Sequence, residues 1–157
     1  MKLSTRQDVE APIEFVFERA ADFDAHLRQA LRRGIDARRT DALTTVDVGM
    51  SWQAQIQFRG KPRKIIGQLC ALDGPNGFEI QSSSGGIDSV FSVEFLPLSP
   101  RRTRIRAGLD LRPSTLSARL LIQSLKLGKH RLNERFSHRI ARFAEETEGR
   151  FAVAQNL

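Results

Sequence analysis

Arg104-Ile105-Arg106-Ala107-Gly108-Leu109-Asp110-Leu111-Arg112-Pro113 runs directly into Ser114-Thr115-Leu116-Ser117-Ala118-Arg119-Leu120-Leu121-Ile122, and the change of period between the two segments decides the fold. In the first, Ile105, Ala107, Leu109 and Leu111 alternate with Arg104, Arg106 and Asp110, the period of a strand with one apolar face. After Pro113 the spacing becomes helical. Leu121, Leu125, Gly128, Leu132, Phe136, Ile140 and Phe143 recur every three or four residues, so one long helix is expected over Thr115–Glu148. At 1.5 Å per residue it would reach roughly 50 Å. Gly128 costs about 1 kcal/mol in a helix interior, which predicts a bend or close packing there. Leu116, Leu120 and Leu127 are expected to widen the buried stripe of its first half.

Upstream, the period of two persists back to Ile35. Met50, Trp52, Ala54, Ile56 and Phe58 face one way, and Ser51, Gln53, Gln55, Gln57 and Arg59 the other, an antiparallel strand with a wet side. Turns are expected at Gly60-Lys61-Pro62, Asp73–Gly77, Ser82–Gly86 and between Pro97 and Pro100. The strands between them carry Ile65, Ile66, Leu69 and Leu72, then Phe78 and Ile80, then Ile87, Ser89, Phe91, Val93 and Phe95. At the start, Leu3, Thr5, Gln7 and Val9 alternate with charged neighbours. Ala11-Pro12 then opens a short helix over about 12–20, and Asp22 or Asp24 caps a second that Gly34 ends.

The order is strand, two short helices, a meander of about six strands and a long helix. A sheet with one apolar face must cover it, and the final helix is the element with enough apolar length to do so. Where a bent sheet and a helix diverge, a gap opens that suits a ligand.

The 157 residues, 40% hydrophobic and 27% charged, fit one folded domain over 1–157. No apolar run is long enough to span a membrane, and residues 2–9 lack a signal-peptide block. Cys70 is the one cysteine, which leaves no internal disulfide and no multi-cysteine metal site. These features point to the cytoplasm. The net charge is +7, but the basic residues are interleaved with acids, so nucleic acid is not an expected partner.

Val9-Glu10-Ala11-Pro12-Ile13-Glu14-Phe15-Val16-Phe17, then Ala21-Asp22-Phe23, Gly49-Met50-Ser51-Trp52 and the long final helix carry a likeness over nearly the whole chain. The chain resembles the helix-grip superfamily (START-like, Bet v 1-like, SRPBCC) in its bacterial polyketide cyclase/dehydrase and lipid-transport branch. The resemblance implies an α+β fold, a curved antiparallel sheet of about seven strands around a long C-terminal helix, with two short helices after the first strand. It also implies a deep, largely apolar cavity between sheet and helix. Members include lipid carriers, hormone receptors, cyclases, chaperone activators and ribosome-associated proteins.

Within that frame Trp52, Ile56, Phe91, Val93, Leu109, Leu121 and Leu125 are the expected cavity lining for a small hydrophobic or amphipathic molecule. Gln7, Ser89 and Arg39 share parity with apolar neighbours. Each either satisfies a hydrogen bond within the protein or orients the polar end of a guest. Trp52 fits core and cavity wall equally. No phosphate loop or dinucleotide fingerprint is present. His130, Glu134 and His138 share one stripe of the final helix, but on the face opposite Leu132 and Phe136, and are read as a solvated face rather than a metal site. Cys70 has no histidine near it in sequence and there is no tyrosine, so no catalytic residue, metal or cofactor is assigned. The expected activity is ligand binding or transport. The alternatives are a cyclase or aromatase, which needs an ionisable group at the cavity floor, and a protein- or ribosome-interaction module using Arg101–Arg106 and the charged helix. The oligomeric state is left open.

Overall fold

The structure is a computed structural model and describes residues 1–156. Strands β1 (Lys2–Val9), β2 (Asp36–Arg39), β3 (Ser51–Phe58), β4 (Lys61–Asp73), β5 (Gly77–Ser84), β6 (Ile87–Ser99) and β7 (Arg102–Pro113) form one antiparallel sheet. Their order is β1-β7-β6-β5-β4-β3-β2. From β2 onward each strand lies beside the next. The exception is the step from β1 at one edge to β2 at the other, and helices α1 (Ile13–Ala20) and α2 (Phe23–Arg32) carry the chain across it. Pro12 precedes α1, and the Asp22 carboxylate accepts the Ala25 amide at 3.1 Å to start α2.

Two hairpins are tighter than the sequence suggests. Arg59 and Gly60 (φ 52° and 75°) turn β3 into β4, and Gly85 and Gly86 (φ 54° and 80°) turn β5 into β6. Two consecutive positive φ values match the right-handed twist of the flanking strands. Pro62 therefore lies in β4 opposite Gln57, not in the turn. Pro97 likewise belongs to β6, opposite Thr103, and the turn there falls at Pro100–Arg101. In β4 the register shifts between Leu69 and Ala71, which lets Leu69 and Leu72 share the inner side despite their odd spacing.

The final helical region is two helices, α3 (Leu116–Lys126) and α4 (Lys129–Gln155), not one. Gly128 marks the break. The amides of Leu127 and Gly128 turn back to the carbonyls of Ser124 and Leu125 (3.3 and 3.0 Å), a tightened last turn that ends α3. The two helices then follow different surfaces: α3 packs on β7 and α4 on β1. This corrects the expected stripe, because Leu116, Leu120 and Leu127 are exposed, Leu127 at 91%. Ala118 and Ile122 are the residues that α3 buries.

The inner face carries a cross-strand row of Leu3, Leu109, Phe91, Ile80 and Leu69, with Met50 bonded to Leu69 at its end. Val9, Val16, Met50, Leu69, Phe95 and Ile105 are fully buried and join α1 to the sheet. No helix among the described residues is long and apolar enough to cross a membrane.

Candidate ligand-binding cleft

As an edge strand, β1 leaves unpaired backbone groups, and α4 supplies partners for them. The Ser4 amide donates to Asn133 Oδ1 (2.9 Å) and the Glu10 amide to Glu148 Oε1 (2.7 Å). Between these, Thr5 and Ser137 share a hydroxyl bond of 2.8 Å, and Gln7 Nε2 donates to both (3.0 and 3.2 Å). These bonds hold α4 along the sheet edge. A cleft of about 1590 Å³ lies between α4, α2 and the inner face of β3, β5, β6 and β7.

Its floor is hydrocarbon. Phe23 from α2 meets Trp52 of β3 and Phe78 of β5 edge-on, with centroids 5.4 and 5.1 Å apart. Phe78 continues to Phe91 at 6.5 Å, and Phe91 meets Phe136 of α4 at 6.2 Å. The rings thus form a connected path from β3 across the sheet to the helix, at spacings where aromatic quadrupoles attract. Ile80, Val93, Phe95, Ile105, Ile140 and Phe143 complete the apolar lining. At the edge, the His26 ring lies between Phe23 and Phe143 (6.5 and 6.3 Å), its Nε2 2.9 Å from the Ala20 carbonyl. A carbonyl only accepts, so Nε2 carries the proton, and in the neutral ring Nδ1 is the acceptor.

The mouth is of opposite character. From α4 it takes Arg131, Arg135, Arg139, Arg142 and Arg150; α2 adds Arg32 and is followed by Arg33; α1 adds Arg19. Against these eight arginines stand two carboxylates, Glu134 and Glu146. Glu134 is 3.0 Å from His130, and Glu146 is 3.4 Å from Arg142. His138 also borders the cleft, so of the exposed stripe His130, Glu134 and His138 the last two belong to its rim.

Three of the expected lining residues, Trp52, Phe91 and Val93, stand together on the cleft wall. The other seven lie outside the lining. Leu109 is on the same inner face, in register between Leu3 and Phe91. Ile56 is near the hairpin end of β3, opposite Arg63. Leu121 and Leu125 went with α3 when the helix broke. Ser89 sits between Ser82 and Leu111. Gln7 belongs to the bonds joining β1 to α4. Arg39 bonds Asp41, reaches Asp24 at 3.4 Å and donates to the Leu43 carbonyl at 3.0 Å, clamping α2 and the following loop to β2. Phe23, Phe78, Ile80, Ile140 and Phe143 form wall without having been assigned to it. Phe78 and Ile80 had the inward parity that could have found them. The convergence of arginines from α1, α2 and α4 had no signal in the linear sequence.

The most perturbed titratable groups lie away from the cleft. Arg39, then the Ser51 amide, hold the Asp41 carboxyl far below the usual carboxylate range. A hydrogen bond from Arg104 does the same, less strongly, for Asp8, with Arg102 adding to it. Burial, and then the Glu79 carboxylate, push the Cys70 thiol up, which disfavours a thiolate nucleophile. In the basic run Arg101–Arg106, Arg102 and Arg104 both engage Asp8 (3.2 and 2.8 Å), whereas Arg101 and Arg106 have no ion-pair partner among the described residues.

No family model and no curated protein matches the chain. Solved structures do. A ZhuI aromatase/cyclase from Streptomyces sp. R1128 is 11% identical, with a TM-score of 0.66 over 96% of this chain and 94% of that one. A START superfamily protein from Mycobacterium smegmatis is 12% identical, with a TM-score of 0.55 over 88% and 98%. Norcoclaurine synthase from Thalictrum flavum is also 12% identical, with a TM-score of 0.56 over 73% and 70%. Such identities carry the fold alone, and one fold hosts unlike functions.

Proposed function

We propose that this chain, which has the helix-grip fold of START-like and Bet v 1-like proteins, binds a small hydrophobic or amphipathic molecule in the cleft between sheet and C-terminal helix. The observation that carries the reading is the connected aromatic floor, Trp52–Phe23–Phe78–Phe91, beneath a cleft of about 1590 Å³. Ligand sites are typically concave, mostly apolar and about 300–1,000 Å³ in volume, so this open cleft has room for more than a small guest. Burial against such a floor contributes about 25 cal/mol per Å² of apolar area removed from water. The fold likeness to an aromatase/cyclase and to a START superfamily protein supports the same class of guest. A single cysteine, which leaves no internal disulfide, fits a reduced, cytoplasmic setting for this activity.

Binding is favoured over cyclase-type catalysis because proton transfer needs a titratable group within reach of the reacting atoms. Here the floor is aromatic and aliphatic, and the ionisable side chains stand at the rim. The test uses the single tryptophan, which lies on the cleft wall. A panel of fatty acids, fatty alcohols and polycyclic aromatics should change Trp52 emission saturably, at one molecule per chain, and raise the melting temperature. Phe78→Ala, or Phe91→Ala if Phe78→Ala does not fold, should weaken that response. A panel that leaves both emission and melting temperature untouched would sink the proposal.

A further inference from the structure

We infer that the guest is an amphipathic anion, its apolar body on the aromatic floor and a carboxylate or phosphate head among the arginines of the mouth. The inference rests on the cleft being a binding site and adds the sign and position of the ligand's charge. Of the twelve arginines outside the cleft lining, four form ion pairs among the described residues: Arg39 with Asp24 and Asp41, Arg102 and Arg104 with Asp8, and Arg112 with Asp110. At the mouth eight arginines gather from three helical segments, and only Arg142 has an ion-pair partner among the described residues. The two rim carboxylates are already engaged by His130 and Arg142.

Arg19 gives the pattern a direction. It is half-buried at the end of α1, on the cleft, and its Nε is one of two buried side-chain nitrogens with no hydrogen-bond partner among the described residues; the other, of Arg63 in β4, lies outside the cleft lining. Such a donor is costly to leave unmade, and a guanidinium fork suits the planar or tetrahedral oxygens of a carboxylate or phosphate. A neutral guest that displaces water from the mouth would leave the half-buried Arg19 guanidinium without a charged partner. A cationic one would add repulsion. The arginine stems can lie along the apolar body while their heads meet the anion.

The test compares amphiphiles that share one tail: dodecanoate, dodecyl phosphate, dodecanol and dodecyltrimethylammonium, each below its micellar concentration, followed through Trp52. The anions should bind at least about tenfold more tightly than dodecanol at low salt, as expected for one hydrogen bond to a charged group. The gap should narrow as salt screens the mouth, and the cation should bind most weakly. Arg19→Gln, and separately the exposed pair Arg135→Gln and Arg139→Gln, should bring anion affinity toward that of dodecanol while dodecanol binding stays put. Either order of the two anions supports the inference and tells which head is preferred. Equal binding of dodecanol and the anions, or variants that weaken all four alike, would overturn it while leaving the cleft a binding site. Failure of every amphiphile to bind would overturn the underlying proposal as well.

Discussion

The two sides of helix α4 meet the sheet in opposite ways. Toward β1 it is fastened by short polar bonds, from Asn133 to the Ser4 amide, Glu148 to the Glu10 amide and Ser137 to Thr5 and Gln7. Toward β5 and β6 it reaches the sheet through the tips of phenylalanines, with a wide cleft between. Directional bonds hold the helix at the edge, where strand groups need partners. Non-directional apolar contacts on the other side leave room for a guest to replace some of them. One helix thereby serves as both a wall and a fixed post.

The largest test of this contrast is Phe95→Ala. Phe95 is 1% exposed, meets Phe17 edge-on and Phe78 at a tilt, and joins the α1 side of the core to the cleft floor. Truncation should cost about 3–5 kcal/mol, measurable by urea unfolding. A loss under about 1 kcal/mol would mean that the floor is not part of the core.

Next comes acidity. Asp41 accepts from the Ser51 and Leu43 amides as well as from Arg39, and its folded-state pKa lies below its unfolded value. The stability it confers is present above about pH 4 and is lost as pH falls through the folded value. Asp41→Asn should therefore melt lower than wild type at pH 7, with the gap shrinking toward pH 2 in thermal scans. A gap that stays constant would detach Asp41 from the acid sensitivity. Because this clamp holds α2, one wall of the cleft, ligand affinity should weaken over the same acidic range.

Ser137→Ala tests the fastened side. It removes the hydroxyl that joins Thr5 and Gln7 to α4 and should cost about 1 kcal/mol. Hydrogen exchange in α4 should speed up, with dodecanol affinity changing less than for Phe91→Ala. The smallest effect belongs to His130→Ala. The His130–Glu134 pair is an exposed i, i+4 contact, and its loss should shift stability by only about 0.2–0.5 kcal/mol. A shift several times larger would show that the rim charges are coupled more strongly than exposed pairs usually are.

Much of the architecture was legible from period and punctuation. The inward parity of Ile105, Ala107 and Leu109, the Asp22 cap and the Gly34 stop all correspond to observed elements. Pro62 and Pro97 misled, because a proline can sit inside a strand near its end: the turns fall at Arg59-Gly60, before Pro62, and at Pro100-Arg101, after Pro97. The site was legible only in part. Trp52, Phe91 and Val93 stand on the cleft wall because they occupy the central inner rows of the sheet, and parity reports the face but not the row's place under the helix. Leu121 and Leu125 depended on an unbroken helix. The helix period is the same on both sides of Gly128, so the glycine marked a bend there but the spacing did not show that two separate helices would follow.

By itself the chain's pattern of apolar and polar residues determined the element types, their order and which face of each strand is buried, because those depend on neighbours a few positions away. The tertiary structure decided where α4 lies, which aromatics face empty space and that arginines from α1, α2 and α4 share one mouth. Those are distances between residues far apart in sequence, set by how the β1 edge bonds to α4 and how the chain turns at Gly128.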